Sequence, residues 1–127
     1  MMQEKVGINY FWDSYAIIEL GKNNTNYLNY LGKTITITIF NLAELYWNFL
    51  NEFGEHEANN LYEKYSKCLV SVTDEVLKEA IKFRKEHKKK DLSYTDCIGY
   101  IYAKKNNLIF LTGDKEFENL SNVEFIK

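Results

Sequence analysis

Five short runs of β-branched or aromatic residues, each followed or preceded by residues at helical spacing, constrain this chain more than any other feature of its sequence. The clearest change of period falls at Thr38. Before it, Thr34-Ile35-Thr36-Ile37 alternates with period two, as a strand requires. After it, Ile39, Leu42, Ala43, Tyr46, Phe49, Leu50 and Phe53 recur at the spacing of a helix face. Thr38 is placed to cap that helix and Gly54 to stop it. The other strand candidates are Ile8 to Trp12, expected to be buried on both faces, then Leu69 to Val72, Leu108 to Leu111 and Val123 to Ile126. Between them the spacing predicts a helix over 14–20 stopped by Gly21 and a short one over 26–31 stopped by Gly32. A further helix carries Ala58, Leu61, Tyr62 and Tyr65. Another is capped by Thr73 and buries Val76, Leu77, Ala80 and Ile81, and the last runs from Ser93 to Lys105 and turns at Asn106-Asn107. No Asn-Gly pair joins two strands as a hairpin. The connections are therefore expected to be right-handed crossovers, which make an α/β fold with a parallel sheet flanked by helices.

At 127 residues the chain is expected to be a single domain over 1–127, burying about two thirds of the surface its unfolded form exposes. Nothing divides it, since there is no repeat and no Pro- or Gly-rich linker. With 46% hydrophobic and 27% charged residues the composition is globular, and no run of 18 apolar residues offers a membrane span. Residues Met1 to Gly7 lack the basic-then-apolar order of a secretory leader, so a cytoplasmic location is expected. Cys68 and Cys97 show no C-x-x-C spacing and are expected to be inert core thiols. His56 and His87 stand alone, which argues against zinc.

Two acids fall at strand carboxyl ends, Asp13 after the first strand and Asp114 after the fourth. In open parallel sheets ligands collect outside those ends. Each has a plain alternative, since Asp13 is also placed to cap the following helix and Asp114 to make a turn after Gly113. Glu44 lies in a polar stripe with Asn41, Asn48 and Glu52, which ordinarily faces solvent. Asp96 completes an S-x-x-D capping pattern with Ser93. Gly99 and Ala103 make its helix face small, as close packing against another element requires.

Taken together these segments resemble the PIN-domain family, in particular the small nuclease toxins called VapC. The resemblance rests on Phe11-Trp12-Asp13-Ser14, Asn41-Leu42-Ala43-Glu44-Leu45, Leu92-Ser93-Tyr94-Thr95-Asp96 and Leu111-Thr112-Gly113-Asp114-Lys115-Glu116-Phe117, in an order that spans nearly the whole chain. It implies a sheet in the order 3-2-1-4-5, with Asp13 beside Asp114 and with Glu44 and Asp96 turned inward. It also implies a homodimer and a small protein antitoxin that inserts a segment into the acidic groove. Cys97 stands where members of the family often have alanine, a similarly small apolar residue.

Crowded carboxylates remain ionised only when a cation compensates them, and oxygen donors select hard ions such as Mg²⁺ or Mn²⁺. Such a site suits metal-assisted hydrolysis of an RNA phosphodiester. Asp13, Asp96 and Asp114 are the expected principal ligands. Glu44 is expected to be a water-mediated metal ligand or a water-orienting base, and Thr112 to hydrogen-bond a phosphate or a ligand water. Net charge is −2; with four acids neutralised, sixteen basic residues face fourteen acids and the balance becomes +2. The basic run Lys82 to Lys90, ending in Lys88, Lys89 and Lys90, is a candidate RNA-backbone contact, although cations also suit a helix C-terminus without any ligand. Two rival readings remain. One is a PIN-like domain that processes or binds RNA outside a toxin system. The other is a phosphoacceptor receiver domain using Asp74, for which the chain lacks a second acid after its first strand and any proline.

Overall fold

Aromatic side chains at Tyr10, Phe11 and Trp12 form the first strand, and all three are buried in the computed structural model, which describes residues 7–127. The expectation about Met1 to Gly7 falls almost wholly outside the described residues. Strand β1 is Tyr10–Trp12, β2 is Ile109–Thr112 and β3 is Val123–Phe125. They pair in parallel in the order β1-β2-β3, with Tyr10 opposite Ile109 and Phe110 opposite Val123. The first and fourth sequence-predicted strands are thus neighbours, with Trp12 opposite Leu111.

Among the described residues three strands stand where five were expected. Segments 34–37 and 69–72 do not form strands: Ile37 and Leu69 make one isolated parallel bridge, and Trp12 N donates to Thr36 O at 3.0 Å. Each run is cut short by a helix cap, Thr38 on one side and Thr73 on the other, so the backbone turns away before a ladder can propagate. Ile8 is likewise outside the first strand and 59% exposed.

Among the described residues there are five α-helices: α1 (Ser14–Gly21), α2 (Ile39–Phe53), α3 (Glu55–Ser66), α4 (Asp74–Glu86) and α5 (Tyr94–Lys105). Short 3₁₀ helices cover Thr25–Tyr30 and Lys115–Phe117. Gly21 is the last residue of α1, and the left-handed residue beyond it is Asn23, at φ 62°. Asn107, at φ 58°, makes the expected turn into β2. Among the described residues no helix is long and apolar enough to cross a membrane.

Two cores lie on opposite faces of the sheet residues. Trp12, Ile17, Tyr27, Ile37, Leu42, Leu45 and Leu111 pack together on one side; Phe11, Ala80, Ile98, Tyr100, Phe110 and Phe117 pack on the other. That division follows strand alternation, since Phe11 and Phe110 point one way while Trp12 and Leu111 point the other. Gly99 of α5 lets the helix sit on the second layer: a Cβ there would lie 2.6 Å from Phe11 Cε1 and 3.2 Å from Phe110 Cε1. The small face of α5 is therefore a packing face, as its sequence requires. Helix α2 differs from expectation. Leu42, Leu45 and Phe49 are buried together with Asn41, whereas Ile39, Leu50 and Phe53 are exposed. In α4, Val76 and Ala80 are buried but Leu77 and Ile81 are exposed.

Candidate functional site

Asp13 occupies the N-cap of α1, yet its side chain makes no capping bond. Its carboxylate instead takes the hydroxyl of Thr112, at 2.6 Å, across the β1–β2 pair. An aspartate at this position ordinarily stabilises its helix by about 1 kcal/mol through capping, and here that contact is absent. The group is 3% exposed. Burial, then the charge of Asp96, then those of Asp114 and Glu44 push its carboxyl up to about 8, against the lowering effect of the Thr112 bond.

Thr112 is fully buried at the end of β2, and its oxygen also accepts from Asp114 N at 3.0 Å. One hydroxyl therefore ties the two strand-end acids together. Asp114 Oδ1 accepts from Glu116 N at 3.0 Å, which makes the turn into the 3₁₀ helix Lys115–Phe117, so its turn-forming role is realised as well. Asp96 also does two things. Its Oδ2 accepts from Ser93 N at 2.9 Å while Ser93 Oγ accepts from Asp96 N at 3.0 Å, a complete capping box. Burial nevertheless raises its carboxyl to about 6; the Ser93 bonds oppose this, and the charges of Asp114 and Glu44 add to it.

Glu44 reaches the group through Ser14. Ser14 Oγ donates to Glu44 Oε1 at 2.8 Å and accepts from Asn41 Nδ2 at 3.1 Å, while Asn41 Oδ1 accepts from Thr38 N at 3.0 Å. The polar stripe of α2 is thus turned toward α1 over Asn41, Glu44 and Asn48, and of its four members only Glu52 is exposed. Ser14 and Asn41 were not among the predicted site residues. Their signal was present, since Ser14 directly follows Asp13 and Asn41 lies one turn before Glu44 at a position that carries the Thr38 capping box. Ser14, Glu44, Trp47, Asn48 and Ile18 line a cleft of about 340 Å³ beside this chain of bonds.

Among the described residues no three Asp, Glu, His or Cys side chains already converge as a ready-made metal set. Asp114 and Glu44 act by charge on Asp13 and Asp96, but the four carboxylates do not close on a common point. Their chemistry fits a hard cation: every donor is an oxygen, and the charges of Asp96, Asp114 and Glu44, which add to burial in raising Asp13 to about 8, are charges a divalent ion would offset. The histidines lie elsewhere. His87 stacks on Phe83 with 4.1 Å between ring centroids, and His56 is exposed on α3. Asp74, which the receiver-domain reading needs, is an exposed residue in the first turn of α4 and is not among the charges acting on Asp13. Both cysteines are free, and burial pushes the Cys97 thiol up to about 11.

Of the basic run, Lys88 and Lys89 are exposed beyond α4. Lys90 Nζ donates to Glu116 O at 3.1 Å, next to the turn made by Asp114. Arg84 has a packing role, its Nε donating to Leu92 O at 2.8 Å and its guanidinium lying 4.3 Å from the Tyr94 ring centroid.

A parallel three-stranded α/β domain with acids gathered at the strand carboxyl ends defines a class of protein, and comparison with known proteins gives the family. The PIN domain model matches residues 10–123, and the chain belongs to that family. No curated protein matches the sequence. Its fold is similar to that of VapC20 from Mycobacterium tuberculosis, described as a sarcin-ricin loop cleaving toxin, at TM-score 0.77 and 14% identity, covering 94% of this chain and 100% of that one. A toxin-antitoxin complex from Klebsiella pneumoniae matches at TM-score 0.71 and 16% identity, covering 91% and 96%. VapBC2 from Rickettsia felis, bound to a DNA fragment from its promoter, matches at TM-score 0.70 and 17% identity, covering 94% and 100%.

Proposed function

We propose that this PIN domain is a divalent-cation-dependent endoribonuclease, the toxin of a toxin–antitoxin pair, acting in the cytoplasm. The observation that carries the reading is Asp13: a buried strand-end carboxylate that forgoes its helix cap, is bonded by Thr112, and is raised to about 8 partly by three other acids. In this reading Asp13, Asp96 and Asp114 hold Mg²⁺ or Mn²⁺. Bound there, the ion lowers the pKa of a water and offsets charge on the phosphate. Glu44, fixed by Ser14 and Asn41, orients the attacking water as base. Thr112 keeps Asp13 and Asp114 in register, which is a positioning role. Lys88, Lys89 and Lys90 contact the RNA backbone, a role supported by the bond from Lys90 to the loop after Asp114. A homodimer and a small antitoxin are proposed partners; the similar folds include toxin–antitoxin complexes.

Asp114→Asn tests the reading, because asparagine supports the same turn but carries no charge. Cleavage of labelled RNA should fall by orders of magnitude at subsaturating Mg²⁺, while the melting temperature without metal should hold or rise as repulsion is relieved. Full activity with wild-type metal dependence would remove Asp114 from the site. Metal-dependent binding of RNA without cleavage by the wild type would favour a PIN domain that binds without cutting.

A further inference from the structure

The residues after β3 lie across the loop that carries Asp114. Ile126 N donates to Thr112 O at 2.8 Å, and Lys127 Nζ donates to Gly113 O at 3.1 Å. The approach leaves no space for a side chain at position 113, where a Cβ would lie 2.3 Å from Ile126 O and 2.3 Å from Tyr15 Cε1. Gly113 is not in the left-handed region, so crowding, and not backbone conformation, demands glycine here.

The same residues are held from the other side by the 3₁₀ helix Thr25–Tyr30 and its cap. Tyr27, fully buried, donates its hydroxyl to Ile126 O at 2.6 Å. Asn26 Nδ2 donates to Lys127 O at 3.0 Å, and Asn24 Nδ2 to the same oxygen at 3.4 Å. Ile126 O thus sits between the Tyr27 hydroxyl and Gly113. Beyond Gly113 the chain of contacts continues through Thr112 to both Asp13 and Asp114.

We infer that Ile126 and Lys127, pinned by Tyr27, form a positioning strap that fixes the Thr112-Gly113-Asp114 loop so that Asp13 and Asp114 together hold the cation. The cation part rests on the nuclease reading above; the hold on the loop does not. Tyr27→Phe removes only the hydroxyl. It should weaken Mn²⁺ binding, measured by titration calorimetry, by about three- to tenfold, the range one net hydrogen bond spans. It should also speed amide exchange at Asp114 in the metal-free protein several-fold. Lys127→Met discriminates further. Removing a cation near acids would by charge alone tighten Mn²⁺ binding, whereas loss of the strap weakens it. Ala80→Gly, which loosens α4 in the other core, serves as a stability control and should leave both readouts at wild-type values. Unchanged Mn²⁺ affinity in Tyr27→Phe together with unchanged or tighter binding in Lys127→Met would overturn the strap. A wild type that binds no Mn²⁺ would overturn the nuclease reading and the cation part with it, and exchange at Asp114 would then decide the mechanical hold alone.

Discussion

Ser14 connects two elements through one oxygen. Its hydroxyl links Asn41 and Glu44 of α2 to the first residue of α1, and it is 7% exposed. Ser14→Ala would leave a half-buried carboxylate and a buried amide without this partner. The expected loss is about 1–3 kcal/mol, read from urea unfolding, since an unsatisfied buried group costs its desolvation. RNA cleavage should fall with it while the Asp13 and Asp114 contacts persist. Two glycines offer a contrast of the same size. Gly99→Ala drives a methyl to within 2.6 Å of the buried Phe11 ring and should destabilise by about 1–3 kcal/mol. Gly21→Ala meets nothing within 4 Å in a helical residue and should stabilise by about 0.5–1 kcal/mol. Melting curves of the two variants shifting in the same direction would contradict this packing account.

At the scale of elements, caps account for both what the sequence shows and what it conceals. Ser93-x-x-Asp96 and Thr38 are legible as helix starts, and both form complete capping boxes. The orientation of α2 is not legible. Its apolar positions exceed what one core can cover, so either of two faces satisfies the periodicity. The Asn41–Ser14–Glu44 bonds favour the one that exposes Ile39, Leu50 and Phe53. The lysines after α4 belong to this scale as well. Replacing Lys88, Lys89 and Lys90 by Gln should lower the salt slope of RNA binding by about 0.7 for each phosphate contact removed and leave the fold intact. An unchanged slope would reduce the run to a solvated helix end, with Lys90 bracing the 3₁₀ turn.

Over the whole molecule the acids act on stability together. Asp13 and Asp96 are raised to about 8 and about 6 from an ordinary value of 3.8, so the folded state holds their protons more tightly than the unfolded chain does. Their contribution is therefore present below about pH 4 and is lost as pH rises through 6 and 8. In chelator, the melting temperature should fall between pH 5 and 8. Asp13→Asn should flatten the upper part of that fall, and saturating Mg²⁺ or Mn²⁺ should offset it by binding the ionised form. A metal-free melting temperature that rises over the same interval would show that these carboxyls are not raised in the folded state.

The periodicity of the chain determined an α/β fold with parallel strands, five of the six helices it predicts as α-helices, the caps at Thr38, Thr73 and Ser93, and the strand-end positions of Asp13 and Asp114, because these depend on neighbours a few residues apart; the sixth, over 26–31, is the 3₁₀ helix Thr25–Tyr30. Three matters were decided by tertiary structure. Segments 34–37 and 69–72 shrink to a single bridge, because length and alternation do not reveal how far a partner strand extends. Asp13 gives up its cap for Thr112, 99 residues away, and no local rule weighs those two bonds against each other. The hold of Tyr27 on Ile126, and of Ile126 and Lys127 on the Asp114 loop, likewise joins residues about a hundred positions apart or just beyond the ends of separate strands. Only the folded sheet brings them within hydrogen-bond reach.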